Sequence, residues 1–169
     1  AIEARWNSSL QDDRGDFYFS SSLAPGVDNL NTLYLYNYIR GRLRNIPAIG
    51  STGSIMVSLY SGSSTNYAAS GSKLILYDGH TAVTGGYVST GIYSASIAVT
   101  GAISDISTLY DVWWSGSGMD PSTHNIEFFT GSILTKAFGA TTDTREPVYY
   151  INITNLQNKY GPRETARFN

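Results

Sequence analysis

Hydrophobic and polar residues alternate at a spacing of two along much of this chain, and the alternation predicts strands. Ile55, Val57 and Leu59 stand against Met56, Ser58 and Tyr60. Tyr93, Ala95, Ile97 and Val99 stand against Ser94, Ser96, Ala98 and Thr100, and Tyr149, Ile151 and Ile153 against polar partners in Val148–Asn155. Successive side chains of a strand point to opposite faces, so each stretch offers one face to a core. Asp16–Ser22, Lys73–Tyr77, Thr108–Ser115 and Ile126–Leu134 add aromatic and aliphatic runs of strand length. Gly and Ser clusters part them at 50–54, 61–64, 85–86, 115–118 and 139–142. Short strands separated by such turns predict an all-β antiparallel sandwich or barrel.

Leu33–Arg44 has two unlike faces. Tyr34, Tyr36, Tyr38, Arg40, Arg42 and Arg44 fall on one side; Leu33, Leu35, Asn37, Ile39, Gly41 and Leu43 fall on the other. A helix is the alternative, since Leu35, Tyr38, Ile39 and Leu43 fit its spacing and Pro47 follows. Gly41, the tyrosines and the β surroundings favour a strand. Three arginines on one face must meet water or another molecule, and tyrosine and arginine are enriched in binding hot spots. These six residues are the candidate protein interface.

A length of 169 residues suits one domain, or one and part of another. Ser9-Leu10-Gln11 before Gly15 and Phe17–Phe19 is echoed by Asn155-Leu156-Gln157 before Gly161 and Glu164–Phe168. The echo predicts one sandwich over residues 1–138 and a trailing strand segment, 139–169. That segment begins a second unit or pairs with a neighbouring subunit. The pattern already runs at Ile2, Ala4 and Trp6, and Thr165–Phe168 is strand-like with no turn after it, so a piece of a longer chain is expected.

Charged residues make up only 14% against 41% apolar, so polar uncharged residues and tyrosine must carry solubility. A net charge of -2 implies no general attraction to nucleic acid or anionic membrane, and neither partner is expected. Lysine occurs only at 73, 136 and 159; arginine dominates and suits fixed contacts. The absence of cysteine excludes disulfides and thiol chemistry. No apolar run reaches the ~18 residues of a membrane-spanning helix.

Leu109-Tyr110-Asp111-Val112-Trp113, Gly116 and Phe128-Phe129-Thr130-Gly131 resemble the last strand pair of immunoglobulin-like sandwiches in virion proteins of large tailed phages. Gly91–Ala95 looks like the strand before it. Asn31–Gly41 and Arg163–Phe168 are similar to segments of structural proteins of marine phages. The resemblance implies an immunoglobulin-like fold and a non-enzymatic role in a virion or tail, with other virion subunits, copies of itself included, as partners. It supplies no catalytic residues and no cofactor. A bacterial host cytoplasm is the implied place of synthesis.

Candidate chemistry is sparse. Arg14-Gly15-Asp16 matches an integrin-binding tripeptide but leads directly into a strand, so a turn is expected. Asp12, Asp13 and Asp16 fit no calcium loop and read as a solvated acidic turn. His80 and His124 lie in loops and read as exposed rather than as zinc ligands. No nucleophile elbow is present, and none of Glu3, Glu127, Glu146 and Glu164 singles out a catalytic pair. Asn7-Ser8-Ser9 and Asn152-Ile153-Thr154 fit the N-glycosylation rule, which matters only in a secretory pathway. No metal or cofactor site is expected. Trp113 and Trp114 occupy opposite faces of one strand: one fills the core, and the other is exposed or buried against a neighbour. They are the candidate carbohydrate contacts of the alternative reading, a host-adhesion module. A filament subunit is the third.

Overall fold

The computed structural model describes residues 10–20, 24–62, 71–99, 106–121 and 124–136. All fall within one compact unit, Ala1–Phe138. The predicted strands Val148–Asn155 and Glu164–Phe168, the trailing segment 139–169, the start of the chain and both glycosylation sequons lie outside the described residues.

Nine strands are described: β1 (Phe17–Tyr18), β2 (Asn31–Tyr36), β3 (Tyr38–Ile39), β4 (Arg42–Leu43), β5 (Ile55–Gly62), β6 (Val83–Ser89), β7 (Ile92–Ile97), β8 (Thr108–Ser115) and β9 (Ile126–Lys136). Among the described residues helix is confined to two 3-10 turns, Asp13–Gly15 and Gly26–Asn29. The all-β expectation therefore holds. Seven strands form one sheet in the order β1-β9-β8-β5-β6-β7-β2, and β3 and β4 make a separate hairpin. Pairing is antiparallel except between β1 and β9, which run parallel with Phe17 beside Thr135 and Tyr18 beside Lys136.

β6 belongs to both halves of the sheet. Val83, Thr84 and Gly85 pair with β5, while Gly86, Tyr87 and Ser89 pair with β7. The glycines at 85 and 86, which read as a turn in sequence, lie inside this strand. Gly85 sits so close to the Ser94 carbonyl that a Cβ would stand 2.7 Å from it. Lys73–Tyr77, expected as a strand, makes one bridge, Lys73 to Tyr60. Its Leu74 N–H bonds to the Leu59 carbonyl and its Leu76 N–H to that of His80, so two different partners share it.

The two ends of the sheet meet. Asn31, the first residue of β2, is buried, and its carboxamide bonds to Tyr18 of β1 as a strand would. The Tyr18 N–H donates to Asn31 Oδ1 at 3.0 Å, and Asn31 Nδ2 donates to the Tyr18 carbonyl at 2.9 Å. The curled sheet encloses one main core in which Phe17, Leu33, Ile55, Val57, Tyr93, Ile97, Leu109, Trp113 and Ile133 pack together. Ile46 and Ile49 plug one part of it. The Tyr93 hydroxyl holds that turn, accepting from the Ile46 N–H at 3.0 Å and donating to the Gly50 carbonyl at 2.8 Å.

Alternation on β5 and β8 leaves Met56, Ser58, Val112 and Trp114 on the opposite face. That face is covered as well: Met56, Ala82, Val112 and Trp114 form a second small cluster, with Tyr60 packed against it. Among the described residues no helix is long and apolar enough to cross a membrane.

Candidate functional site

Leu33–Arg44 is extended rather than helical, but it is not one strand. β2 ends at Tyr36, and the chain then turns through the two-residue hairpin of β3 and β4, with Tyr38 opposite Leu43 and Ile39 opposite Arg42. Arg40 (φ 52°) and Gly41 (φ 74°) form the turn. Positive φ at both central positions is the type I′ geometry that matches strand twist, and Gly41 adopts it without steric cost. The expected single ridge of six side chains is therefore divided. Tyr34 and Tyr36 stay on β2 with ring centroids 6.2 Å apart. Tyr38 lies on β3, Arg40 in the turn, Arg42 on β4 and Arg44 just beyond it. Period two could not show this, because the turn reverses the chain.

The hairpin is anchored at its base and bare beyond it. The Asn37 N–H donates to the Gly91 carbonyl at 2.8 Å, the Arg44 N–H to the Asn37 carbonyl at 3.0 Å, and Asn37 Nδ2 to the Arg44 carbonyl at 2.6 Å. The Gly91 N–H donates to Asn45 Oδ1 at 2.7 Å. Past this base Tyr38 is 61% exposed and Ile39 48%, and Arg40, Arg42 and Arg44 are all exposed. Among the described residues none of these arginines has an acidic partner. Partial burial, then Asp12 and the neighbouring Tyr34 and Tyr38, push the Tyr36 phenol above its ordinary pKa. Tyr36 is thus a hydrogen-bond donor rather than an anion.

Trp113 and Trp114 are both buried, at 0% and 1% exposure. Trp113 lies in the main core and its indole N–H donates to Asp111 Oδ2 at 2.6 Å. Trp114 lies in the second cluster, donates to Ser58 Oγ at 3.2 Å, and is stacked by His124 at 4.7 Å with 14° between the rings. Neither indole presents a face to a sugar, so the candidate carbohydrate contacts at Trp113 and Trp114 are corrected. The second, buried option for the outer indole is the one found.

Arg14 is also claimed. Its guanidinium makes two hydrogen bonds to Asp111, one of them 2.6 Å from Nη2 to Oδ2, and lies 5.5 Å from the Phe129 ring centre. Burial works to lower the Arg14 pKa, but the hydrogen bond and charge of Asp111 outweigh it and raise it. Gly131 makes room for the pair: a Cβ there would stand 2.5 Å from Arg14 Nη1 and 2.8 Å from Asp111 Oδ1. Asp16 pairs with Lys136. The Arg14-Gly15-Asp16 tripeptide is thus the turn into β1 that its context predicted.

The acidic turn is not simply solvated. Asp13 is buried and accepts from the Thr32 N–H at 2.7 Å and from Gln11 Nε2 at 3.2 Å. Asp12 Oδ1 accepts from the Arg14 N–H at 3.0 Å and caps the 3-10 turn. No group of three or more metal-ligating side chains occurs among the described residues.

The histidines part company with expectation in one case. The His80 side chain is 43% exposed, as read, but that of His124 is 6% exposed. His124 Nδ1 lies 3.0 Å from Glu127 Oε1 and its Nε2 3.3 Å from the Tyr60 hydroxyl. A carboxylate only accepts, so Nδ1 carries the proton and Nε2 of the neutral ring accepts from Tyr60. The chain Glu127–His124–Tyr60 has the connectivity of a proton relay. Burial and the Glu127 charge raise the Tyr60 pKa, however, which keeps its oxygen protonated and a poor nucleophile. Its effect is to fix the β8–β9 connection.

Sequence reasoning missed the Arg14–Asp111 pair. One signal was available: Asp111 falls in the inward register between Leu109 and Trp113, and a carboxylate there requires a cation. No family model matches the chain, and no curated protein or solved structure matches it.

Proposed function

We propose that this chain is a non-enzymatic structural module of a phage virion or tail, with an immunoglobulin-like fold, that docks on neighbouring subunits through the β3–β4 hairpin and the tyrosines beside it. The observation that carries the reading is the hairpin itself. An isolated two-stranded hairpin is marginal in water. This one is held by its base while both of its faces stay exposed, so its side chains are preorganised for contact at low entropic cost. Tyr34, Tyr36, Tyr38, Arg40, Arg42 and Arg44 supply large contact area and forked donors suited to carboxylates.

Strand adjacency supports the fold reading. β9-β8-β5 follows the order of strands G, F and C of an immunoglobulin sheet, and β7-β2 that of E and B. The phage assignment rests on the sequence resemblance. In this reading the trailing segment, residues 139–169, adds strands to the edge of an adjacent copy. The carbohydrate-binding alternative loses its two principal residues to the interior.

Sedimentation and electron microscopy of the purified chain test the proposal. Wild type is expected to assemble beyond the monomer, and Arg40→Glu/Arg42→Glu/Arg44→Glu is expected to remain monomeric with unchanged circular dichroism. A monomeric wild type at high concentration, or equal assembly by the variant, overturns it.

A further inference from the structure

The chain has two histidines, and both hold the β8–β9 connection against the sheet. His80 Nδ1 lies 2.9 Å from Asp120 Oδ2, and Asp120 Oδ1 accepts from the Thr81 N–H at 2.8 Å. The same N–H lies 3.1 Å from the Met119 carbonyl. Lys73 Nζ donates to the Pro121 carbonyl at 2.8 Å. Beyond that point His124 stacks on Trp114 and sits between Glu127 and Tyr60. Two imidazoles distant in sequence thus each place Nδ1 on a carboxylate, at two points of one connection.

We propose that this connection is a clasp tightened by acid: protonation of His80 turns its hydrogen bond to the Asp120 carboxylate into an ion pair and holds the connection that carries His124, stacked on Trp114, in place. The groups around His80 favour its charged form. His80 faces Asp120 and Asp78; His124 faces Glu127 and Tyr60. An amine is nearby: Lys73 lies across the Tyr60 ring at 5.7 Å. The hydrogen bond that His80 donates to Asp120 raises the His80 pKa and lowers that of Asp120. The sign follows. The hold from His80 is complete below the ordinary imidazole value of about 6.5 and is lost as pH rises through the elevated one. Loosening the clasp frees the connection whose His124 ring covers Trp114, on the side of the sheet opposite the main core.

Hydrogen exchange on the intact chain tests this. The protection factor of the Thr81 amide, referred to that of Val57, is expected to be several-fold higher at pH 5.5 than at pH 8. In His80→Gln/His124→Gln, whose amides bond but do not titrate, the difference is expected to vanish. Equal Thr81 protection at the two pH values, or a pH dependence that survives in the double variant, overturns the proposal. A measurement on wild type needs no variant: the His80 ring protons, followed by NMR, are expected to titrate above the free-histidine value. Titration at or below that value overturns it.

Discussion

Arg14 and Asp111, 97 residues apart, form a two-bonded ion pair in which the carboxylate has no exposure and the arginine side chain 24%. Removing the cation strands a buried charge with only the Trp113 N–H for company. Arg14→Ala is therefore expected to cost about 3–5 kcal/mol, read from urea unfolding at pH 7. Arg14→Lys is expected to recover little of this, because an ammonium cannot present two parallel donors.

Asn31 joins the sheet's two ends through one side chain. Asn31→Ala leaves the half-buried Tyr18 N–H and carbonyl without those partners, a loss of about 1–3 kcal/mol. Amide exchange is expected to locate the loss at β1 and β2, with the β5–β8 pairing unaffected.

Trp114 is interior, so its truncation is a matter of packing. Trp114→Ala is expected to destabilise the fold by about 3–5 kcal/mol, as for other buried tryptophans. Thermal unfolding checks this; a neutral result would mean that the indole lies at the surface.

The hairpin separates stability from contact. Arg42→Ala and Arg44→Ala, on exposed side chains, are expected to stay within about 0.5 kcal/mol of wild type. Gly41→Val, which forces a β-branched residue to φ 74°, is expected to cost about 1–3 kcal/mol and to disorder the Arg40 turn. Unfolding curves for the three variants make the comparison.

Asp12 is half buried, and burial raises its carboxyl pKa despite the Arg14 N–H and charge. The folded state thus holds this proton more tightly than the unfolded one, so ionising Asp12 disfavours the fold at pH 7. The penalty fades as pH falls through the carboxylate range. Asn caps as well as Asp. Asp12→Asn is therefore expected to match or exceed wild-type stability at pH 7, with the difference shrinking below about pH 4. Denaturant midpoints at the two pH values decide it.

Much of the fold could be read from alternation alone. Thr108–Ser115 matches β8 end to end, and β5, β7 and β9 begin within a residue of their predicted starts. The failures have local causes. β6 hid behind Gly85-Gly86, where Gly85 serves close backbone approach and Gly86 pairs with Ser94, so that neither makes a turn. Lys73–Tyr77 alternates, since Leu74 and Leu76 are buried and Ile75 is exposed, but its backbone partners are split. Leu33–Arg44 kept its period through a reversal that side-chain spacing does not register. The burial of His124 and the pairing of Arg14 depend on residues far away in sequence, which period two cannot report.

The parallel pairing of β1 with β9 has a mechanical consequence. Tension between the two ends of the domain pulls these strands in opposite directions along their common axis. Their hydrogen bonds then bear load together, in shear, instead of peeling apart one at a time. A force-bearing subunit benefits from that geometry, even from so short a contact.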